Sequence, residues 1–117
     1  MRVIDFSPEH ARPIALYESN GASSVNLANG TGEAHVYCVH FEPGGKIGRH
    51  PTGFGQLFLV IRGEGWAEGA GGERVSLQAG QGVVFERGEL HAKGSDTGMS
   101  ALMVQIHTFT SAAELEP

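Results

Sequence analysis

Pro43-Gly44-Gly45-Lys46-Ile47-Gly48-Arg49-His50-Pro51-Thr52-Gly53-Phe54-Gly55-Gln56 leads into an apolar run that ends at Gly63. A second stretch, Gly80-Gln81-Gly82-Val83-Val84-Phe85-Glu86-Arg87-Gly88-Glu89-Leu90-His91, follows it. Each places a histidine beside a glycine-punctuated turn that leads into or out of a strand. Glycine accepts positive φ without a Cβ penalty, so such turns join short strands tightly. In a closed barrel, two histidines carried this way converge from different strands. These two stretches decide the fold as all-β.

The rest of the chain agrees. Its 18 glycines are scattered along 117 residues with no collagen-like period. No segment carries sustained helical periodicity; Ser7-Pro8 opens at most one short helical turn, and residues 111–116 another. The expected strands are 14–17, 25–27, 34–41, 56–61, 65–68, 74–77, 82–86, 91–93 and 99–108, with turns at Asn29-Gly30, Pro43 to Gly45, Arg62 to Gly65, Gly69 to Gly72, Ala79-Gly80 and Asp96 to Gly98. Regular turns at this spacing favour a sandwich or barrel. Residues 1–117 read as one domain, with no composition shift to mark a linker.

Along residues 56–61 both strand faces are apolar, with Gln56, Phe58 and Val60 on one and Leu57, Leu59 and Ile61 on the other. A barrel interior covers one face. N-terminal strands or a second subunit must cover the other, so a homodimer is expected.

Composition excludes several classes of partner. The formal charge is −5 and Lys plus Arg total only 8, with no cluster that could build a phosphate-binding surface, so nucleic acid is not an expected partner. The apolar runs are too short to span a bilayer, and no apolar leader follows Met1. Cys38 has no internal disulfide partner and reads as a small buried hydrophobe in a strand. A cytoplasmic location is expected from these features.

The two histidine stretches resemble the paired motifs of the cupin family. Gly44, His50, Gln56 and Gly63 hold the places of the first motif with matching spacing, and Gly80, Gly88 and His91 those of the second. The motifs occupy about residues 44–63 and 80–95. The resemblance implies a double-stranded β-helix, or jelly-roll barrel, with a site inside it. It also implies a divalent transition metal (Fe, Mn, Ni or Zn) held by His50, Gln56 and His91. Small cupins include dioxygenases, isomerases and decarboxylases acting on small organic molecules.

The departures weaken that ligand set. Thr52 stands in the place of a second histidine, Gln56 in that of a glutamate, Glu86 in that of a proline and Ser95 in that of an asparagine. Hydroxyl and amide oxygens are weak ligands, and two imidazoles alone hold a first-row ion poorly. Glu86 is the candidate for the missing anion, as ligand or as catalytic base, beside His91 as the second catalytic candidate. His40 and His107 are further strand histidines whose facing alternation alone does not fix. Thr52, Phe58, Tyr37 and His107 are candidates for contact with a substrate. Three readings stay open: a metal-dependent enzyme of the dioxygenase or isomerase type, a non-catalytic ligand-binding or sensing barrel without a bound metal, and metal-free acid–base catalysis by His91 and Glu86, which needs those side chains within hydrogen-bond reach.

Overall fold

The computed structural model describes residues 1–111. In chain order the strands are β1 (Arg2–Asp5), β2 (Arg12–Pro13), β3 (Ser23–Ser24), β4 (Ala28–Phe41), β5 (Lys46–Pro51), β6 (Gly55–Glu68), β7 (Arg74–Gln78), β8 (Gln81–Phe85), β9 (Leu90–Gly94) and β10 (Met99–Ser111). A 3-10 turn at Pro8–His10 follows Ser7, with Pro8 at its first position as expected. The helical turn expected over 111–116 lies outside the described residues apart from Ser111, which ends β10.

One sheet runs β1-β8-β6-β10-β4, and all its pairings are antiparallel. The facing layer is β5-β9-β6-β7, also antiparallel. β6 belongs to both. Its first half, Gln56–Leu59, pairs with β8, and its last residues, Glu64–Glu68, pair with β7. The turn expected over Arg62 to Gly65 is therefore a strand passing from one sheet to the other. Ile61 is skipped in the register with β10, a bulge that bends the strand at this point. Gly63 completes the bend at φ 77°, where a Cβ would collide with the Gly98 carbonyl oxygen.

All four motif glycines, Gly44, Gly63, Gly80 and Gly88, have positive φ. Other expectations are corrected. Residues 14–17 and 25–27 form no strand, and Asn29-Gly30 lies within β4, paired with Phe109 and Thr110. β1 and β5 were not anticipated. Val3-Ile4 is a short apolar signal, and Gly48 and Pro51 make β5 read as loop.

Alternation along β6 sorts the core into two clusters. Phe58 and Val60 point inward with Phe41, Ala67, Leu77, Val83, Phe85, Met99 and Ala101. Leu57 and Leu59 point outward with Val84 and are covered by Ile4, Phe6, Leu27 and Phe109. The N-terminal segment thus supplies much of the second cover. It leaves β4 bare: Val36 and Cys38 are exposed on the outer face. Cys38 is therefore not the buried hydrophobe expected, because among the described residues no element packs over its strand. Among the described residues no helix is long and apolar enough to cross a membrane.

Candidate functional site

The register brings the motif histidines together. On β5 and β9, His50 pairs directly with His91, so two residues far apart in sequence share one rung of a ladder. Their rings meet edge to face with centroids 4.6 Å apart, and their Nε2 atoms are 3.3 Å apart. His50 is exposed, whereas His91 is fully buried against Phe85. His50 Nδ1–H donates to the Gly48 carbonyl at 2.7 Å, which leaves Nε2 as the acceptor of the neutral ring. His91 then donates from Nε2, and its own Nδ1 remains buried with no partner among the described residues.

Thr52 latches the two motifs. Its backbone N–H donates to the Glu89 carbonyl, its carbonyl accepts from Gly88 N–H, and its Oγ1 donates to the Glu86 carbonyl at 2.6 Å. The buried hydroxyl is thereby committed to main chain. Glu86 offers that carbonyl, while its side chain belongs to an exposed turn residue. Ser95, in the place of the motif asparagine, works in the same way. Its backbone bonds Gly44 and Gly45, and its hydroxyl donates to the Glu64 carbonyl.

Gln56 is buried, and its Oε1 accepts a hydrogen bond from Lys93 Nζ. Lys93 is the residue that sequence reasoning missed. It is only 1% exposed, two positions after His91 on β9, so strand alternation puts both side chains on the inner face. Its Nζ lies 3.3 Å from Met103 Sδ and stands 4.9 Å from the Phe58 ring centre and 5.6 Å from that of Phe85. Among the described residues no carboxylate lies within ion-pairing distance of it. Burial pushes its pKa down to about 8. Burial, then the Lys93 charge, then His50 push His91 down to about 3.

The remaining candidates are spread between the interior, the rim and the outer face. Phe58 is fully buried beneath Lys93. Tyr37 lies opposite Met103 in the β4–β10 ladder, half exposed, and stacks on His35. His107 is exposed and meets Phe54 edge to face at 5.3 Å. His40 faces the other way, bonded through Nδ1 to Ser100 Oγ at 2.7 Å on the outer face.

Does this set fit a metal ion? The two Nε2 atoms are spaced as two ligands of a tetrahedral ion with bonds of roughly 2.0–2.1 Å would be. The other family positions do not fit. Thr52 is committed to a carbonyl, Gln56 is neutral and occupied, and Lys93 sets a positive charge beside them. Two imidazoles next to an ammonium make half a site. Elsewhere, Asp5, Glu9 and His10 bring donor atoms within 4.8 Å of one another at the surface, where both carboxylates approach His10 at 3.7 Å.

The jelly-roll layering, the motif glycines and the paired histidines define a cupin. A Cupin domain family model matches residues 37–107, and the chain belongs to that family. Among solved structures, it is similar to an uncharacterised protein with a double-stranded β-helix domain from Klebsiella pneumoniae, at 26% identity and TM-score 0.59, covering 89% of this chain and 91% of that one. A cupin-like protein from Thermotoga maritima is 21% identical, with TM-score 0.62 and coverage of 80% and 82%. A predicted oxalate decarboxylase from the same organism is 25% identical, with TM-score 0.57 and coverage of 62% and 64%. No curated protein matches the chain significantly.

Proposed function

We propose that this cupin is a single-domain barrel that binds a small organic acid between His50, Gln56, His91 and Lys93 without a resident metal. The observation that carries this reading is the Lys93 ammonium bonded to Gln56, where the family motif places a carboxylate. A carboxylate ligand gives a buried cation the partner that the described chain does not provide. The open side of the barrel supports entry: edge strands β4 and β5 are not hydrogen-bonded to each other, and Tyr37 and His50 are exposed along them. One Thermotoga maritima structure that this chain resembles is described as a predicted oxalate decarboxylase, and oxalate is an acid of this kind. In this reading Phe58 forms the floor, and Tyr37 and His107 lie at the rim. The exposed Glu86 has no part in the chemistry.

The test combines elemental analysis of untagged protein, purified without chelator, with thermal shift in short mono- and dicarboxylates. Metal far below one ion per chain, with a midpoint raised by an acid and unmoved by chelator, is the expected result. Near-stoichiometric iron, manganese, nickel or zinc whose removal lowers the midpoint overturns it. That outcome favours the second reading, a metal-dependent enzyme of the dioxygenase or isomerase type with His91 and Glu86 as catalytic candidates. Its support is the converging pair of Nε2 atoms, with His50 oriented by the Gly48 carbonyl as a metal-binding histidine is. In either reading the exposed Val36 and Ile61 suit a homodimer.

A further inference from the structure

Lysine is almost never fully buried without an anionic partner, because removing an ammonium from water costs several kcal/mol. An aliphatic side chain of similar length would fill the space between Phe58, Phe85 and Met103 at lower cost. Lys93 is nevertheless held there, among aromatic rings, a thioether and a neutral amide. An amine in such surroundings meets the structural requirement for nucleophilic attack on a carbonyl carbon: desolvation without a salt bridge.

We propose that Lys93 forms an imine with a short 2-oxo acid inside the barrel. The inference rests on the acid-binding reading above and names the ligand class for that site. In a 2-oxo acid the carboxylate and the carbonyl carbon are one bond apart, so the nitrogen that attracts the acid already sits beside the electrophile. The Lys93 nitrogen, as the free amine, bonds to the carbonyl carbon, and the carbonyl oxygen takes a proton. Both protons of the amine are given up as the oxygen departs as water, leaving a carbon–nitrogen double bond. No oxidant or reductant is needed. Protonated, the imine keeps a positive charge at the same atom for the acid's carboxylate.

The sequence provides its own reference, because the chain has two lysines, Lys93 and the exposed Lys46. Wild-type protein is incubated with glyoxylate or pyruvate and sodium cyanoborohydride, which reduces an imine to a stable secondary amine. Peptide mapping then compares the two lysines. The expected result is an adduct on Lys93 approaching one per chain, forming at least tenfold faster than on Lys46 and absent from K93R. An adduct on Lys46 or the N-terminus with none on Lys93, or equal rates at both lysines, overturns the imine. Lactate, which has no carbonyl, separates the two claims. Stabilisation by lactate, with no Lys93 adduct from glyoxylate or pyruvate, overturns the imine and leaves the acid pocket standing; no stabilisation by lactate and no Lys93 adduct from either 2-oxo acid overturns both. Because the rate comparison is made within the wild-type chain, it does not depend on the variant folding.

Discussion

Two positions of the first motif, Gln56 and Gly63, lie on one strand and have fared differently. At the Gly63 end of β6 the family residue is kept, and the backbone shows why: φ is 77° and the Gly98 carbonyl leaves no room for a Cβ. At the Gln56 end the motif glutamate is gone, and the amide that replaces it is bonded to a lysine from β9. In this chain the bend is set by the backbone, whatever the barrel binds. The side chain at Gln56 is under no such backbone constraint, and its partner in the structure is Lys93. Backbone constraints therefore preserve the architecture while the chemistry inside it changes.

The comparison breaks most severely at the bend. Gly63→Val combines an unfavourable φ with a collision against main chain, and should destabilise the fold by at least about 3 kcal/mol. Urea unfolding measures it, and a loss below about 1 kcal/mol would show that the bend can relax.

Lys93→Met should act in the opposite direction. Removing a buried charge while keeping the volume is expected to stabilise the protein by about 2 kcal/mol at pH 7, and to abolish stabilisation by carboxylates. The pH dependence sharpens this. The ammonium is disfavoured in the folded chain, so between its folded pKa of about 8 and the ordinary value of 10.5 the unfolded chain holds more protons. Wild-type stability should rise with pH across that window, and the rise should vanish in Lys93→Met. His91, pushed down to about 3 from 6.5, makes stability fall as pH drops between those values. An identical alkaline profile in both proteins would place the titrating group elsewhere.

Thr52→Val keeps the shape and removes the hydroxyl that donates to the Glu86 carbonyl, costing about 1–2 kcal/mol. A change in carboxylate affinity larger than the stability loss would give Thr52 a ligand contact as well. At the exposed rim, His107→Ala should alter stability by less than about 0.5 kcal/mol. Any effect there should appear in the thermal shift with acids.

The fold was legible because positive-φ glycines leave a mark on sequence that no other residue replaces well. His50 and His91 were legible because they follow those glycines at the family's spacing. Lys93 was hidden by the rule that lysines face water, although His91-Ala92-Lys93 places it on the buried histidine's face by simple alternation. β5 was hidden by Gly48 and Pro51, and the strand character of Arg62 to Gly65 by its two glycines. In both places the sequence carries turn residues inside a strand. Tertiary pairing decides there, and it cannot be read locally.

The order in which the chain is made has a consequence for β4. Among the described residues this long strand pairs only with β10, whose first residue, Met99, comes more than fifty positions after Phe41. β1 likewise waits for β8. At roughly 5–20 residues per second, a nascent chain carries β4 with both hydrogen-bonding edges open for several seconds before its neighbour emerges. Folding cannot proceed from the N-terminus by small local steps, and non-local pairings of this kind are slow to form. During synthesis, the segment most exposed to wrong partners is therefore the one whose outer face stays uncovered in the finished barrel.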